Sequence, residues 1–158
     1  MKKRPYIIAF IFFLIDLISK QIIMHVMNLN ESIKVISHFF SLTYVRNNGA
    51  AWSILKDERI LLMIVTVIVL FLINKYMNRE ELSKIEELTY GIIIGGIVGN
   101  LFDRIIYGSV IDFLDFNIFG YNYPVFNLAD TFIVVGIMLL IIVSIRKEHY
   151  GKNSSRRR

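Results

Sequence analysis

Four long apolar stretches separated by polar ones dominate the chain. The first runs from about Tyr6 to Met24 and is broken only by Asp16, Ser19, Lys20 and Gln21. The second, Ile60 to Ile73, contains one polar residue, Thr66, and follows Asp57 and Glu58, acidic residues suited to a helix N-terminus. The third, Leu88 to Ile106, is glycine-rich and carries Asn100, Asp103 and Arg104 near its end; the fourth, Leu128 to Ile145, carries Asp130 near its start. A bilayer core of about 30 Å is crossed by about 20 helical residues. Each stretch reaches that length with its flanks, the second when extended to Tyr76. None shows the polar stripe of a helix that faces water on one side. The pattern predicts a mainly α, polytopic membrane protein with four transmembrane helices.

Between the stretches, Ile33 to Val45 mixes β-branched and aromatic residues with turn formers, predicting a small β-sheet against the outer membrane surface. The loop Asn74–Glu87 is short and charged and reads as a helical connection. The whole chain, 1–158, reads as one membrane domain, with 25–59 as an extracytoplasmic loop bearing short strands and 146–158 as a basic cytoplasmic tail. The N-terminus imitates a secretory signal peptide. No small-x-small cleavage site follows it, and Asp16 and Lys20 interrupt its apolar run, so it reads as a retained first helix.

Charge changes the picture through its placement. The 158 residues include 18 Lys and Arg against 13 Asp and Glu, a formal net charge of +5. In a soluble protein that balance would suggest nucleic acid. Here twelve of the 18 lie at the N-terminus, in the 74–87 loop and in the C-terminal tail, and five on the other side. Basic residues favour the cytoplasmic face, so both termini are expected there. The tail, Arg156-Arg157-Arg158 included, then reads as a membrane-proximal anchor touching lipid, with no nucleic-acid partner. The chain has no cysteine, which excludes disulfides, Cys-ligated zinc and a thiol nucleophile. Its three histidines, His25, His38 and His149, are scattered. Neither a metal nor a cofactor is expected.

The charged residues that membrane helices should avoid lie at one depth. At about 1.5 Å rise per residue, Asp16 lies about 16 Å and Lys20 about 22 Å from the cytoplasmic end of the first helix. Asn100 lies about 18 Å, Asp103 and Arg104 about 22–24 Å, and Asp130 about 22 Å from the corresponding ends of their helices. Ionisable groups there must face one another or a wet cavity. Asp16 and Lys20 are four residues apart on one face and can pair, whereas Asp103 and Arg104 point about 100° apart and serve different partners. Polar glue between helices would account for these four alone.

Glue does not account for Val110-Ile-Asp-Phe-Leu-Asp-Phe116 or Phe126-Asn-Leu-Ala-Asp130. Asp112 and Asp130 are embedded in apolar, aromatic sequence at the outer interface. Two carboxylates forced together in such a setting share one proton near neutral pH, as an aspartic peptidase requires. Asp115 is the competing carboxylate, and composition does not choose between it and Asp112. No His-Glu-x-x-His helix and no Gly-x-Ser-x-Gly elbow occurs. Ser19 is adjacent to Lys20 and points away from it. The Gly95-Gly96-x-x-Gly99 run suits close helix packing better than phosphate binding.

Five motifs in order, Asp16-Leu-Ile-Ser-Lys20, Asn47-Asn-Gly-Ala-Ala-Trp52, Gly95-Gly-Ile-Val-Gly-Asn-Leu-Phe-Asp-Arg104, Val110-Ile-Asp-Phe113 and Phe126-Asn-Leu-Ala-Asp130, resemble those of the bacterial lipoprotein signal peptidases (signal peptidase II). The resemblance covers essentially the full length, with Trp52 where the family commonly has Phe. It implies a membrane aspartyl endopeptidase that cleaves diacylglyceryl-modified prolipoproteins just before the lipidated cysteine, at the extracytoplasmic face. By it the catalytic pair falls on Asp112 and Asp130 rather than Asp115, and supporting roles on Asp16, Lys20, Asn47, Gly49, Asn100, Asp103, Arg104 and Asn127. Asn100 and Asn127 are expected to hold the substrate backbone extended, and Gly49-Ala50-Ala51 to offer a small-residue surface beside the cleft, with Trp52 at the interface. Nothing requires more than a monomer. Two other classes are a small ion or proton transporter and a non-catalytic lipoprotein-binding membrane protein. A transporter would carry polar residues through the whole thickness, yet the inner halves of helices two and four are bare.

Overall fold

The computed structural model describes residues 3–49, 55 and 57–155. The chain runs α1 (Lys3–Val26), β1 (Ser32–Ile36), β2 (Phe40–Asn47), α2 (Arg59–Arg79), α3 (Lys84–Ile106), β3 (Val110–Ile118), β4 (Tyr121–Asn122) and α4 (Leu128–Ser155). All four helices are long and apolar enough to cross a membrane. Their outer faces expose large apolar side chains, among them Phe10, Ile64, Phe71, Val134 and Ile141. In water such a surface would be untenable; against acyl chains it is the expected one.

Helix α3 occupies the centre, between α1 and α4, and carries most of the buried helical surface. Small residues let the neighbours come close. Gly91 lies against Ile8 and Pro5, Gly95 against the Ala9 carbonyl and Phe12, and Gly96 against the Ala129 carbonyl. Gly91, Gly95 and Gly99 are spaced by four and face α1, while Gly96 faces the first turn of α4. The glycine run is therefore a packing surface on two sides of one helix, as its apolar context suggested. Helix α2 is peripheral; Met77 is its one buried residue.

The four strands form one antiparallel sheet in the order β1-β2-β3-β4. Its centre pairs β2 with β3, from Phe40 opposite Phe116 to Asn47 opposite Val110, with a register shift between Leu42 and Val45. Two chain segments far apart in sequence, one after α1 and one between α3 and α4, thus meet beside the helix ends.

The structure differs from the sequence expectation in three places. Helix α3 begins at Lys84 rather than Leu88. Ser83 accepts from the Glu86 N–H at 3.3 Å while Glu86 accepts from the Ser83 N–H at 2.7 Å, a reciprocal cap that starts the helix a turn early. Helix α4 continues to Ser155 where a tail from residue 146 was expected, since Arg146, Lys147 and Glu148 are good helix formers. Arg156 to Arg158 lie outside the described residues. The third difference is β3, the longest strand, which the apolar run Val110–Phe116 did not announce.

A β-carbon at residue 96 would sit 2.5 Å from the Ala129 carbonyl oxygen. Gly96→Ala is therefore expected to cost about 1–3 kcal/mol by overpacking, read as a lower thermal unfolding midpoint of the purified protein in detergent.

Candidate active site

Polar residues of α1 and α3 converge on Lys20. Its ammonium lies 2.7 Å from Asp16 Oδ2, 2.8 Å from Asp103 Oδ2 and 3.1 Å from Asn100 Oδ1, so each of its three hydrogens has an acceptor. The side chains of Lys20, Asp16 and Asp103 are at most 1% exposed. The carboxylates reach further. Asp16 Oδ1 accepts from the Ala129 N–H at 2.9 Å, in the first turn of α4, and Asp103 Oδ2 accepts from the Ile111 N–H at 3.1 Å, in β3. One buried cation thus ties α1 to α3 directly, and to α4 and β3 through its two counter-ions. The i,i+4 pairing of Asp16 with Lys20 is as expected. Asp103 and Arg104 do serve different partners: Arg104 donates to the Gly49 carbonyl at 3.0 Å and to the Asn100 carbonyl at 3.4 Å.

Asn127 carries the network outward. It stands immediately before α4, where its Oδ1 accepts from the Asp130 N–H at 2.9 Å and Asp130 Oδ2 accepts from the Asn127 N–H at 3.3 Å. This is a capping box with aspartate at the third helical position. The Asn127 amide nitrogen donates to Asp112 Oδ1 at 2.6 Å, with Asn100 Oδ1 at 3.1 Å and the Ile111 carbonyl at 3.2 Å also in reach. One side chain therefore caps the helix that carries Asp130 and holds the carboxylate of Asp112. Asn100 complements it, donating to Asp130 Oδ1 at 2.7 Å. Asn47 donates to Asp112 Oδ2 at 3.0 Å and accepts from the Gly49 N–H at 2.9 Å. The amides of Asn100 and Asn127 are thus engaged with the carboxylates, where the sequence suggested direct contact with a ligand.

Asp112 is 2% exposed, on β3, and Asp130 is half-buried at the start of α4. Burial, and next the charge of Asp130, push the Asp112 carboxyl up to about 7, against the hydrogen bonds of Asn47 and Asn127 and the charge of Lys20. Asp115 is separate: its carboxylate accepts from Thr43 Oγ1 at 2.6 Å on the sheet, and it does not line the cleft that the other two share.

That cleft measures about 970 Å³. Asn47, Asn100, Arg104, Asp112 and Asp130 line its polar end, and Ile133, Val134 and Val135 of α4 form an apolar wall. Val134 and Val135 are also exposed on the outer face of α4, so the wall merges with the lipid-facing surface. Of the small-residue segment, Gly49 is in the network; Ala50, Ala51 and Trp52 lie outside the described residues. Sequence reasoning missed the backbone donors at Ile111 and Ala129 and the segment Tyr123–Phe126, which lines the cleft. The cap at Asn127 had a readable signal, Asn-x-x-Asp at the head of an apolar run. Among the described residues no group of three or more His, Cys, Asp or Glu could hold a metal ion.

Fold and site together define a polytopic membrane protein with a carboxylate pair at the polar end of a lipid-bordering cleft. The chain belongs to the signal peptidase II family, whose model matches residues 8–146. It is 43% identical over 146 residues to a lipoprotein signal peptidase of Halothermothrix orenii, covering 92% of this chain and 98% of the relative. It is 36% identical to that of Staphylococcus haemolyticus over 92% of this chain and 96% of the relative. A solved bacterial membrane enzyme, crystallised by the in meso method at 2.3 Å resolution, superposes with a TM-score of 0.84 at 34% identity, covering 91% of this chain and 88% of that one. A second, at 1.9 Å, gives 0.79 at 36% identity, over 88% and 90%.

Removing Lys20 leaves two buried carboxylates without a counter-ion. Lys20→Met is expected to destabilise the fold by about 3–5 kcal/mol, read as a large drop in the thermal midpoint in detergent.

Proposed function

We propose that the chain removes signal peptides from bacterial prolipoproteins by aspartic catalysis, with Asp112 and Asp130 as the catalytic pair. Family membership supports the substrate and the hydrolytic reaction. The observation that carries the catalytic type is the pairing itself: two carboxyls on different elements, joined through Asn127, both lining one cleft. Neither the ion-transporter reading nor the non-catalytic binding reading draws support from the family.

The two carboxyls are not equivalent. Asp130 stands in the first turn of α4, where its Oδ2 accepts from the Asn127 N–H, and we assign it the role of the base. Asp112, on a strand and buried, keeps its proton up to about pH 7. Asp130 then takes a proton from a water molecule whose oxygen attacks the scissile carbonyl carbon, while Asp112 gives its proton to the carbonyl oxygen. Collapse of the resulting diol breaks the C–N bond. Asp130 passes its proton to the departing amine, and Asp112 recovers a proton from the diol. Asn100, Asn127 and Asn47 aim the carboxylates; Asp16, Lys20 and Asp103 fix the elements that carry them. Arg104 and Gly49 close the polar end of the cleft.

The apolar wall suits the acyl chains of a diacylglyceryl-modified cysteine, with cleavage just before that residue. The distribution of basic residues supports both termini in the cytoplasm and the cleft at the extracytoplasmic face, with residues 25–59 outside. The chain forms one domain that works as a monomer in the cell membrane.

Asp112→Asn and Asp130→Asn should each lower turnover of a lipidated prolipoprotein on the order of 10³-fold or more, in protein that inserts and unfolds thermally like the parent. Near-normal turnover by either would refute the assignment. A second measurement concerns pH. Because the Asp112 carboxyl is held up to about 7 and acts in its protonated form, kcat/KM should fall as pH rises through that value. Removing the Asp130 charge by Asp130→Asn should move the Asp112 titration downward, followed through its carboxyl stretch by infrared spectroscopy.

A further inference from the structure

We infer that the backbone of Val125 is a substrate subsite, at which the chain flanking the scissile bond is bound as an added β-strand. This rests on the peptidase reading above and names how that site grips its substrate. Tyr123–Phe126 joins β4 to α4 and runs beside β3. The Tyr123 N–H donates to the Phe116 carbonyl at 2.9 Å, and the Phe126 N–H donates to the Leu114 carbonyl at 3.1 Å. The Phe126 carbonyl accepts from the N–H groups of Leu114 at 2.7 Å and Phe113 at 2.9 Å. The segment is therefore pinned to β3 on both sides of Pro124-Val125. Tyr123 and Phe126 both bond toward β3 although three residues apart, so Pro124-Val125 forms a bulge that leaves the N–H and C=O of Val125 out of the β3 ladder. Among the described residues neither group has a partner within the chain.

That free edge borders the catalytic cleft. Val125 lines the cleft together with Asp112 and Asp130, and it lies two residues before Asn127, whose side chain donates to the Asp112 carboxyl and whose backbone N–H donates to that of Asp130. At about 3.3 Å per strand residue, a peptide paired with Val125 passes within about two residue lengths of the pair. An unpaired donor and acceptor at a sheet edge is the template on which extended peptides add. The substrate needs such a template. Its membrane segment satisfies its own amides only while helical, and a helical peptide bond is shielded from attack. Unwinding it beside an apolar wall leaves bare N–H and C=O groups, and Val125 offers one partner of each kind.

The test is a set of lipidated prolipoprotein peptides, each with one backbone amide near the cleavage site replaced by an ester, competed against the all-amide peptide for binding to the intact protein in detergent. Two consecutive esters, one removing the N–H that faces the Val125 carbonyl and one weakening the carbonyl that faces the Val125 N–H, should each weaken binding by about 3- to 10-fold, and esters elsewhere should be neutral. In turnover, Val125→Pro, which removes the N–H, should raise KM about tenfold beyond Val125→Ala, which keeps the N–H and reads the loss of the side chain alone. The ester that weakens the carbonyl facing that N–H should cost nothing further in Val125→Pro. Uniformly neutral esters, or losses spread evenly along the peptide, would overturn the inference, as would an unchanged ester pattern in an active Val125→Pro protein. Should Val125→Pro fail to fold, the ester series on the parent protein decides alone. The series reads binding, so its outcome is independent of whether the Asp112 and Asp130 variants uphold the catalytic assignment.

Discussion

A single ammonium group, withdrawn from both water and lipid, sets the positions of everything around it. An isolated charge at that depth would cost several kcal/mol, so Lys20 is tolerable only where three acceptors meet it at once. Two of those acceptors, Asn100 and Asp103, belong to α3, and the third, Asp16, lies one turn back on α1. Their remaining bonding capacity reaches the first turn of α4, the start of β3 and the Asn127 amide. The carboxyl pair, Asp112 and Asp130, is one further link out. Its geometry is thus inherited from an ion cluster that need never touch the substrate.

Helix association within a bilayer lacks the hydrophobic drive available in water, because acyl chains are as apolar as leucine. Close packing and polar contacts must replace it. Helix α3 supplies both: glycines that admit the backbones of α1 and α4, and Asn100 and Asp103 that bind their side chains and termini. Helix α2 has little of either. Its ties are local, such as the Arg59 guanidinium on the Ile105 carbonyl at 3.1 Å and the Tyr6 hydroxyl on Asn74 at 2.5 Å. The three helices that build the site are therefore the three that are locked together.

Much of this was legible in the residues, because in a chain this apolar each buried polar group is conspicuous. The four spans follow from run length, and the convergence of Asp16, Lys20, Asn100, Asp103 and Asp130 follows from helical rise alone. What was not legible depended on partners distant in sequence. Val110–Phe116 reads as an apolar run until β2 lies beside it as a strand. Once it is a strand, Asp112 and Asp115 fall on opposite faces, and the choice that composition left open becomes geometric. The backbone donors at Ile111 and Ala129 carry no residue-type signal at all. Helix ends were misjudged where a local device decided them: the Ser83–Glu86 cap started α3 early, and good helix formers carried α4 onward.

Position 127 must do two incompatible-looking things with a side chain of fixed length. Capping α4 needs an acceptor aimed back at the Asp130 N–H, and holding Asp112 needs a donor aimed the other way. Aspartate would cap as well but would set a third carboxylate against the pair, with no hydrogen to offer Asp112. Serine caps but has one short hydroxyl where an acceptor and two hydrogens are used. Glutamine has the right groups a methylene too far away. Of the twenty side chains, asparagine alone fits, so the start of a helix and the aim of the Asp112 carboxyl are here a single inherited choice rather than two.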